Sequence, residues 1–291
     1  MLAAGSGRRL APVTGNTPKQ FWAPRGHASL LEETVDRLKP VAPASRTIIV
    51  VDRSHRAFVE SLPLPSRLGR VVYQPQDRGT AAGVLFGVTA LLQAAPNALV
   101  VMTPSDHGVA NQAVFQSGFK VAIHHVRRGA SDVVLLGVQP DRACSDYGWI
   151  VPGSSEPPRR LASVASFVEK PQVAVAEQLL AVGAVWNTMV LVAKASAIID
   201  LFRRHLPDLW EVFETAGELP DAQREAFLSV AYAALPRHDF SSDLLARARG
   251  LSLVVWPSAL GWSDLGTPER LYSWEEHRVA PLARHAPSPA A

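Results

Sequence analysis

Short apolar runs alternate along the chain with longer segments whose apolar residues recur at helical spacing. This is the pattern of an α/β fold. Buried strands are predicted at Thr47–Asp52, Arg70–Gln74, Asn97–Thr103 and Ser131–Val138, and further strands at Ser163–Glu169, Met189–Ala193 and Leu251–Trp256. Helical patterns cover roughly 29–39, 80–94, 112–127, 172–182, 195–205, 221–234 and 268–278. No internal repeat is visible. Polar residues gather where strands end: Gln74 closes one, Asp106 follows another, and Glu169-Lys170 follows a third. Ligands of an open α/β sheet bind beyond the carboxyl ends of its strands. These residues could therefore line one cleft together with the N-terminal loop.

That loop, within LAAGSGRRLAPVTGNTPKQF (2–21), is the most informative stretch. Leu2, Ala3 and Ala4 lead into Gly5-Ser6-Gly7, where successive small residues let backbone N–H groups approach a polyanion. Arg9 and Lys19 add full positive charges suited to phosphate oxygens. The spacing matches neither the P-loop nor the dinucleotide fingerprint. Pro12, Gly15 and Pro18 exclude a regular helix through 11–18, so Lys19 arrives at the end of an irregular loop. By itself the loop reads as a triphosphate cradle.

Composition narrows the class. The 291 residues suffice for one large domain. A hydrophobic content of 47% and a charged content of 19% are ordinary for a globular protein. The net charge is only +3, without a basic tract, which argues against nucleic-acid binding. The single cysteine, Cys144, excludes an intramolecular disulfide and a cysteine-rich metal site. No apolar run is long enough for a membrane span and no secretory leader is evident, so a cytoplasmic enzyme is expected. Residues 280–291, APLARHAPSPAA, read as a disordered tail after a single domain spanning 1–279.

Several other constellations carry chemistry. MTPSDHG places Asp106 and His107 after a hydrophobic strand, and WSDLGTPERL places Asp264 in a turn before the last helix. Two carboxylates on separate turns could share a hard cation such as Mg²⁺, with phosphate oxygens and water completing its shell. Each acid could equally be an ordinary turn residue. His107 reads as a structural hydrogen-bonder, because no second histidine stands at ligand spacing. In QPQDRGTAAG (74–83), Gln74 could read a base edge and Gly79 could let a flat base approach, while Thr80 is equally placed to cap a helix. YGWI and FVEKP are strand-edge elements. Gly148 offers bare backbone groups, Glu169 can accept from vicinal hydroxyls, and Lys170 can pair with a sugar phosphate. Asn187 precedes an apolar strand and could add a sugar contact, although a turn role fits equally.

The order of these motifs resembles the sugar-nucleotide pyrophosphorylases, and most closely the mannose-1-phosphate guanylyltransferases. The family pattern L-A-G-G-x-G-x-R-L-x-P, followed by P-K-Q-F, stands here as Leu2 to Leu10, Pro12 and Pro18 to Phe21. DRGTAAG, PSDH, EKP, WNTM and WSDLG follow in order. Two departures stand out: Ala4 replaces a family glycine, and Gln74 stands where guanylyltransferases commonly carry Glu. Only Met1 to Ala3 represent the first strand, so either translation starts upstream or that central strand is truncated.

The resemblance implies a Rossmann-like, GT-A-like nucleotidyltransferase domain with a mixed, mainly parallel central sheet and helices on both faces. It also implies transfer of a guanylyl group from GTP to mannose 1-phosphate, with in-line attack on the α-phosphorus and no protein nucleophile. Arg9, Lys19 and Asp106 would then be catalytic. Leu2, Ala3, Ala4, Gly5, Ser6, Gly7, Gln74, Gly79 and Thr80 would receive the nucleotide, and Gly148, Glu169, Lys170 and Asn187 the sugar phosphate. Asp106 and Asp264 would hold Mg²⁺. A homodimer stays open, whereas nucleic acid and membrane are not expected as partners. Thymidylyl or uridylyl transfer to glucose 1-phosphate is the nearest alternative, because an amide at Gln74 can read several bases. A catalytically silent regulatory subunit is the alternative of another class.

Overall fold

The computed structural model describes residues 1–24, 27–63, 67–153 and 161–279; the predicted tail lies outside them. β1 is only Leu2–Ala3, yet it joins the two halves of the sheet. It pairs in parallel with β2 (Ile48–Asp52), and Leu2 also forms a parallel bridge to Pro104 on its other side. Before β2 come α1 (Ala11–Thr14) and α2 (Leu30–Leu38). α1 is one helical turn that sequence reasoning did not foresee. Pro12 sits in its first turn, where a missing N–H is harmless, and Gly15 at φ +60° ends it. α2 starts at a reciprocal cap between Ser29 and Glu32. After α3 (Arg56–Glu60), the strand β3 (Arg70–Gln74) forms the sheet edge parallel to β2.

α4 (Thr80–Ala94) leads to β4 (Leu99–Met102), the two-residue β5 (Gly108–Val109) and α5 (Gln112–Arg127). Asn111 caps α5 through the N–H of Val114. β6 (Val133–Val138), β7 (Trp149–Pro152), β8 (Ala162–Val168) and α6 (Val173–Ala181) follow. β9 (Val185–Lys194) is twice as long as the predicted 189–193, and Asn187 lies inside it rather than before it. Its pairing with β6 shifts register at Leu136/Gly137, and Met189 takes φ +58°. This irregularity interrupts the period that the prediction relied on.

The remainder is α7 (Ala195–His205), α8 (Pro207–Glu218), α9 (Asp221–Ala234), a π-helical turn at Phe240–Leu245, β10 (Ser252–Trp256), β11 (Trp262–Ser263) and α10 (Pro268–Val279). The hydrogen-bonded order is β3-β2-β1 in one part and β4-β9-β6-β10-β8-β7 in the other, with β7 also pairing back to β9. In the main sheet every strand runs in one direction except β8 and β9, so the sheet is mixed and mainly parallel.

Helices cover both faces. α4, α7, α8 and α9 enclose one core around Leu85, Ile198, Phe202, Phe213 and Tyr232. α5 and α6 enclose the other around Phe119, Trp149 and Trp256. Leu10, Leu30, Leu265, Leu271 and Trp274 form a smaller cluster. It clamps the turn after the N-terminal loop against the turn that carries Asp264.

Candidate active site

The loops after β1, β3 and β4 leave the same edge of the sheet. Between them opens a cleft of about 560 Å³ lined by Leu2, Ala3, Ala4, Gly5, Gln74, Gly79, Thr80 and Asp106. Eight positions chosen from the sequence thus meet around one space. Ser6, Gly7 and Arg9 are not among its lining residues; Ser6 and Arg9 are exposed, Arg9 in the turn Arg8–Leu10.

Gly7 has a structural reason to be glycine. It adopts φ +62°, and a Cβ there would stand 2.8 Å from the backbone nitrogen of Lys19. The loop therefore lies against the Lys19-Gln20 segment. Gln20, which sequence reasoning passed over, donates from Nε2 to the carbonyls of Ala3 (2.8 Å) and Gly5 (3.0 Å). It is almost wholly buried and sets the path of the loop.

Lys19 joins the two acids. Its side chain is 7% exposed; Nζ lies 3.0 Å from Asp106 Oδ2 and also donates to the backbone carbonyl of Asp264. The two acids are brought near by a ribbon too short to show periodicity. β11 pairs antiparallel with β5, setting Trp262 opposite Val109 and Ser263 opposite Gly108. Burial pushes the Asp106 carboxyl up, but Lys19 and His107 outweigh it and hold it below its ordinary value. Asp264 is likewise lowered, with His107, Arg270 and Lys19 overcoming burial.

The Asp264 carboxylate accepts from Tyr147 Oη (3.1 Å), the Gly266 amide (3.0 Å) and an Arg270 guanidinium nitrogen (3.1 Å). Its turn role and its place in the acid pair thus coexist. His107 has its Nδ1 3.3 Å from Trp262 Nε1, as expected of a structural histidine. Burial pushes its imidazole down to about 4, so it is neutral at neutral pH.

On the other wall, Gln74 is 1% exposed, and neither its Oε1 nor the buried Oγ of Ser105 has a hydrogen-bond partner among the described residues. Both are polar atoms in the cleft that a ligand can satisfy. Gly79 borders the cleft for a different reason from the one expected. At φ +87°, its would-be Cβ position lies 2.2 Å from the His238 carbonyl oxygen, so the chain crossing, rather than a base, requires glycine. Thr80 does not cap α4. Its hydroxyl accepts from the Phe240 amide (2.7 Å) and donates to Asp239 (3.0 Å). It thereby fixes a wall formed by Met189, Arg237, His238, Asp239 and Asp243, none of which the sequence reading selected. Asp239 accepts from the amides of Ser241 and Ser242, an Asp-x-Ser-Ser turn signal that was legible in the sequence.

The four residues assigned to the sugar phosphate gather beside this wall. A Cβ on Gly148 would stand 2.5 Å from Glu169 Oε2 and 3.3 Å from Asn187 Cβ. Glycine here makes room for the carboxylate, and its carbonyl is taken by the Asn187 amide (2.7 Å). Burial raises the Glu169 carboxyl above its ordinary value against the pull of Lys170, which lies 3.0 Å away. Glu169 Oε2 has no hydrogen-bond partner among the described residues. Asn187 donates to Ser241 and accepts from the Met189 amide, linking this patch to the cleft wall.

Such a cleft, at the carboxyl edge of a mainly parallel sheet, belongs to an α/β nucleotide-handling fold. The family described as "Nucleotidyl transferase" matches residues 1–279, and the chain belongs to it. The xanthan biosynthesis protein XanB of Xanthomonas campestris is 30% identical over 98% of this chain and 61% of its own length. A mannose-1-phosphate guanylyltransferase of Escherichia coli is 28% identical over 95% of this chain and 59% of its own. The chain thus spans about three fifths of these relatives. A solved structure from Thermus thermophilus, described as a mannose-1-phosphate geranyltransferase, is 30% identical with a TM-score of 0.80, over 91% of this chain and 75% of that one. Among the described residues no helix is long and apolar enough to cross a membrane.

Proposed function

We propose that the chain transfers a guanylyl group from GTP to mannose 1-phosphate, giving GDP-mannose and pyrophosphate. The observation that carries this reading is Lys19, buried between Asp106 and the Asp264 turn beside a cleft rimmed by the N-terminal loop. The names of the relatives support the choice of base and sugar.

A phosphate oxygen of the sugar phosphate attacks the α-phosphorus, and the bond to the β-phosphate bridging oxygen breaks. The electron pair leaves with pyrophosphate. No protein group is covalently modified, so the enzyme works by positioning and charge neutralisation. The backbone of 2–5 approaches the phosphates, held in place by Gln20. Lys19 neutralises charge at the α-phosphate. Gln74 reads the base, and Glu169 accepts from sugar hydroxyls.

Asp106 and Asp264 fit a divalent cation. Both carboxyls are held below their ordinary values, and among the described residues no group of three or more His, Cys, Asp or Glu side chains is placed to hold a metal ion. Two carboxylates with the remaining positions left to phosphate oxygens and water suit Mg²⁺. When bound, such an ion supplies charge neutralisation to the phosphates. Arg9 stands ready in the exposed turn for an outer phosphate.

The test is pyrophosphate release across GTP, ATP, UTP and dTTP, each paired with mannose and glucose 1-phosphates. GTP with mannose 1-phosphate is expected to be the fastest pair. Equal or faster turnover with dTTP or UTP, the outcome Gln74 would favour, overturns the guanylyl reading.

A further inference from the structure

An arginine that the reading above leaves unused stands against the acid pair. Arg270 belongs to the start of α10, and its side chain is 13% exposed. Its neighbours fix it. Nη1 donates to Asp264 Oδ1 (3.1 Å), while Nη2 donates to Asp146 (2.5 Å) and to Cys144 Sγ (3.5 Å). The guanidinium also lies 4.6 Å from the Tyr147 ring centroid. A fork committed in this way is part of the built charge of the site, unlike a surface arginine free to swing.

The charges around the acids balance. Lys19 pairs with Asp106 and Arg270 with Asp264, and the buried Arg37 donates to the His107 carbonyl (3.1 Å). Asp146, the outer partner of Arg270, is half-exposed, so solvent screens it more than the buried groups. A bare divalent cation therefore meets two carboxylates whose charge is already matched, and is repelled by the cations that match it. A polyphosphate reverses the balance, because it supplies the excess negative charge that such an ion needs. The geometry allows Arg270 to stay in place meanwhile. Tyr147, Gly266 and Arg270 all donate to Asp264 Oδ1, whereas among the described residues Oδ2 has only a 3.4 Å contact from Arg270. One oxygen is held and the other is left to a ligand.

We infer that Arg270 is the resident counter-ion of Asp264 and makes divalent-cation binding at the acid pair conditional on a polyphosphate, so that ion and phosphates bind as one charge-balanced unit. Arg270 acts through Asp264 and is a positioning residue. The inference rests on the reading of Asp106 and Asp264 as the ion's ligands; it needs neither the base nor the sugar assigned above.

Binding of Mn²⁺ alone, followed by electron paramagnetic resonance, tests it together with binding of inorganic tripolyphosphate in EDTA. Arg270→Met should bind Mn²⁺ at least about tenfold more tightly than the wild type, and tripolyphosphate several-fold more weakly. Arg270→Lys, which keeps the charge, should stay close to the wild type in both. Opposite shifts of this kind are not produced by general damage to the fold. Mn²⁺ affinity in Arg270→Met no higher than in the wild type, or a gain equalled by Arg270→Lys, overturns the inference alone. A gain that survives the further change Asp106→Asn places the ion elsewhere, and the acid-pair reading falls with the inference. The wild-type protein supplies a check that needs no variant: tripolyphosphate in EDTA should raise its melting temperature more than Mn²⁺ alone does, and the reverse order contradicts the inference.

Discussion

The half of the site proposed for the nucleotide and the half proposed for the sugar phosphate are built differently. Around the nucleotide, Lys19 and Gln20 are buried and tie three loops to one another before any ligand arrives. Around the sugar phosphate, Lys170 is 59% exposed, adopts φ +43°, and among the described residues pairs only with its neighbour Glu169. One half is cross-linked by its own cations and amides. The other keeps Glu169 Oε2 unsatisfied and its lysine in solvent. The difference teaches where each kind of mutation should register: in turnover on the first side, in substrate affinity on the second.

Removing the buried cation should have the largest effect. Lys19→Ala is expected to lower kcat by at least about a hundredfold, since it deletes charge stabilisation that grows in the transition state and leaves Asp106 unpaired. Asp106→Ala should cost about as much. A near-normal kcat in either variant would break the distinction between the halves.

Next comes the clamp beneath the preorganised side. Leu10 is 1% exposed within the cluster that holds the loop against the Asp264 turn. Leu10→Ala should destabilise the fold by about 2–5 kcal/mol in urea unfolding, from lost burial and the cavity left behind. A loss well below that range would mean that the clamp is loosely packed.

Glu169→Gln should raise the KM for the sugar phosphate about tenfold while kcat and the nucleotide KM change little, the mark of lost uniform binding. A kcat defect matching that of Lys19→Ala would erase the contrast.

The smallest effect is on acid stability. Burial depresses His107 from 6.5 to about 4. The unfolded chain thus takes up a proton that the folded chain resists, so this contribution is complete above pH 6.5 and is lost as pH falls toward 4. Asp106 and Asp264, lowered in the fold, lose theirs at still lower pH as they protonate. His107→Gln should flatten the stability profile between pH 4 and 6.5; an unchanged slope there would contradict the assignment.

Regular elements were legible where pattern and cap coincide. α4, α5, α7 and α9 begin and end where periodicity placed them. α8 was missed because Leu206 alone separates it from α7, leaving no loop signal, although Pro207 opens it and Leu209, Phe213 and Ala216 mark its buried face. Loop and acid residues of the cleft were legible from residue chemistry, but what fixes them was not. Gln20 acts across a separation of 17 residues, and the β5–β11 ribbon is too short to show a period. Thr80 and Gly79 border the cleft, yet what fixes them there lies with His238–Phe240, far along the chain. Long-range contacts of this kind leave no local signature.

The central claim is most directly tested by incubating the protein with α-radiolabelled GTP, Mg²⁺ and mannose 1-phosphate, then separating the products. The account predicts that label moves into GDP-mannose with one pyrophosphate released per transfer, and that none stays on the protein. Absence of labelled GDP-mannose, or label covalently retained on the chain, would contradict it.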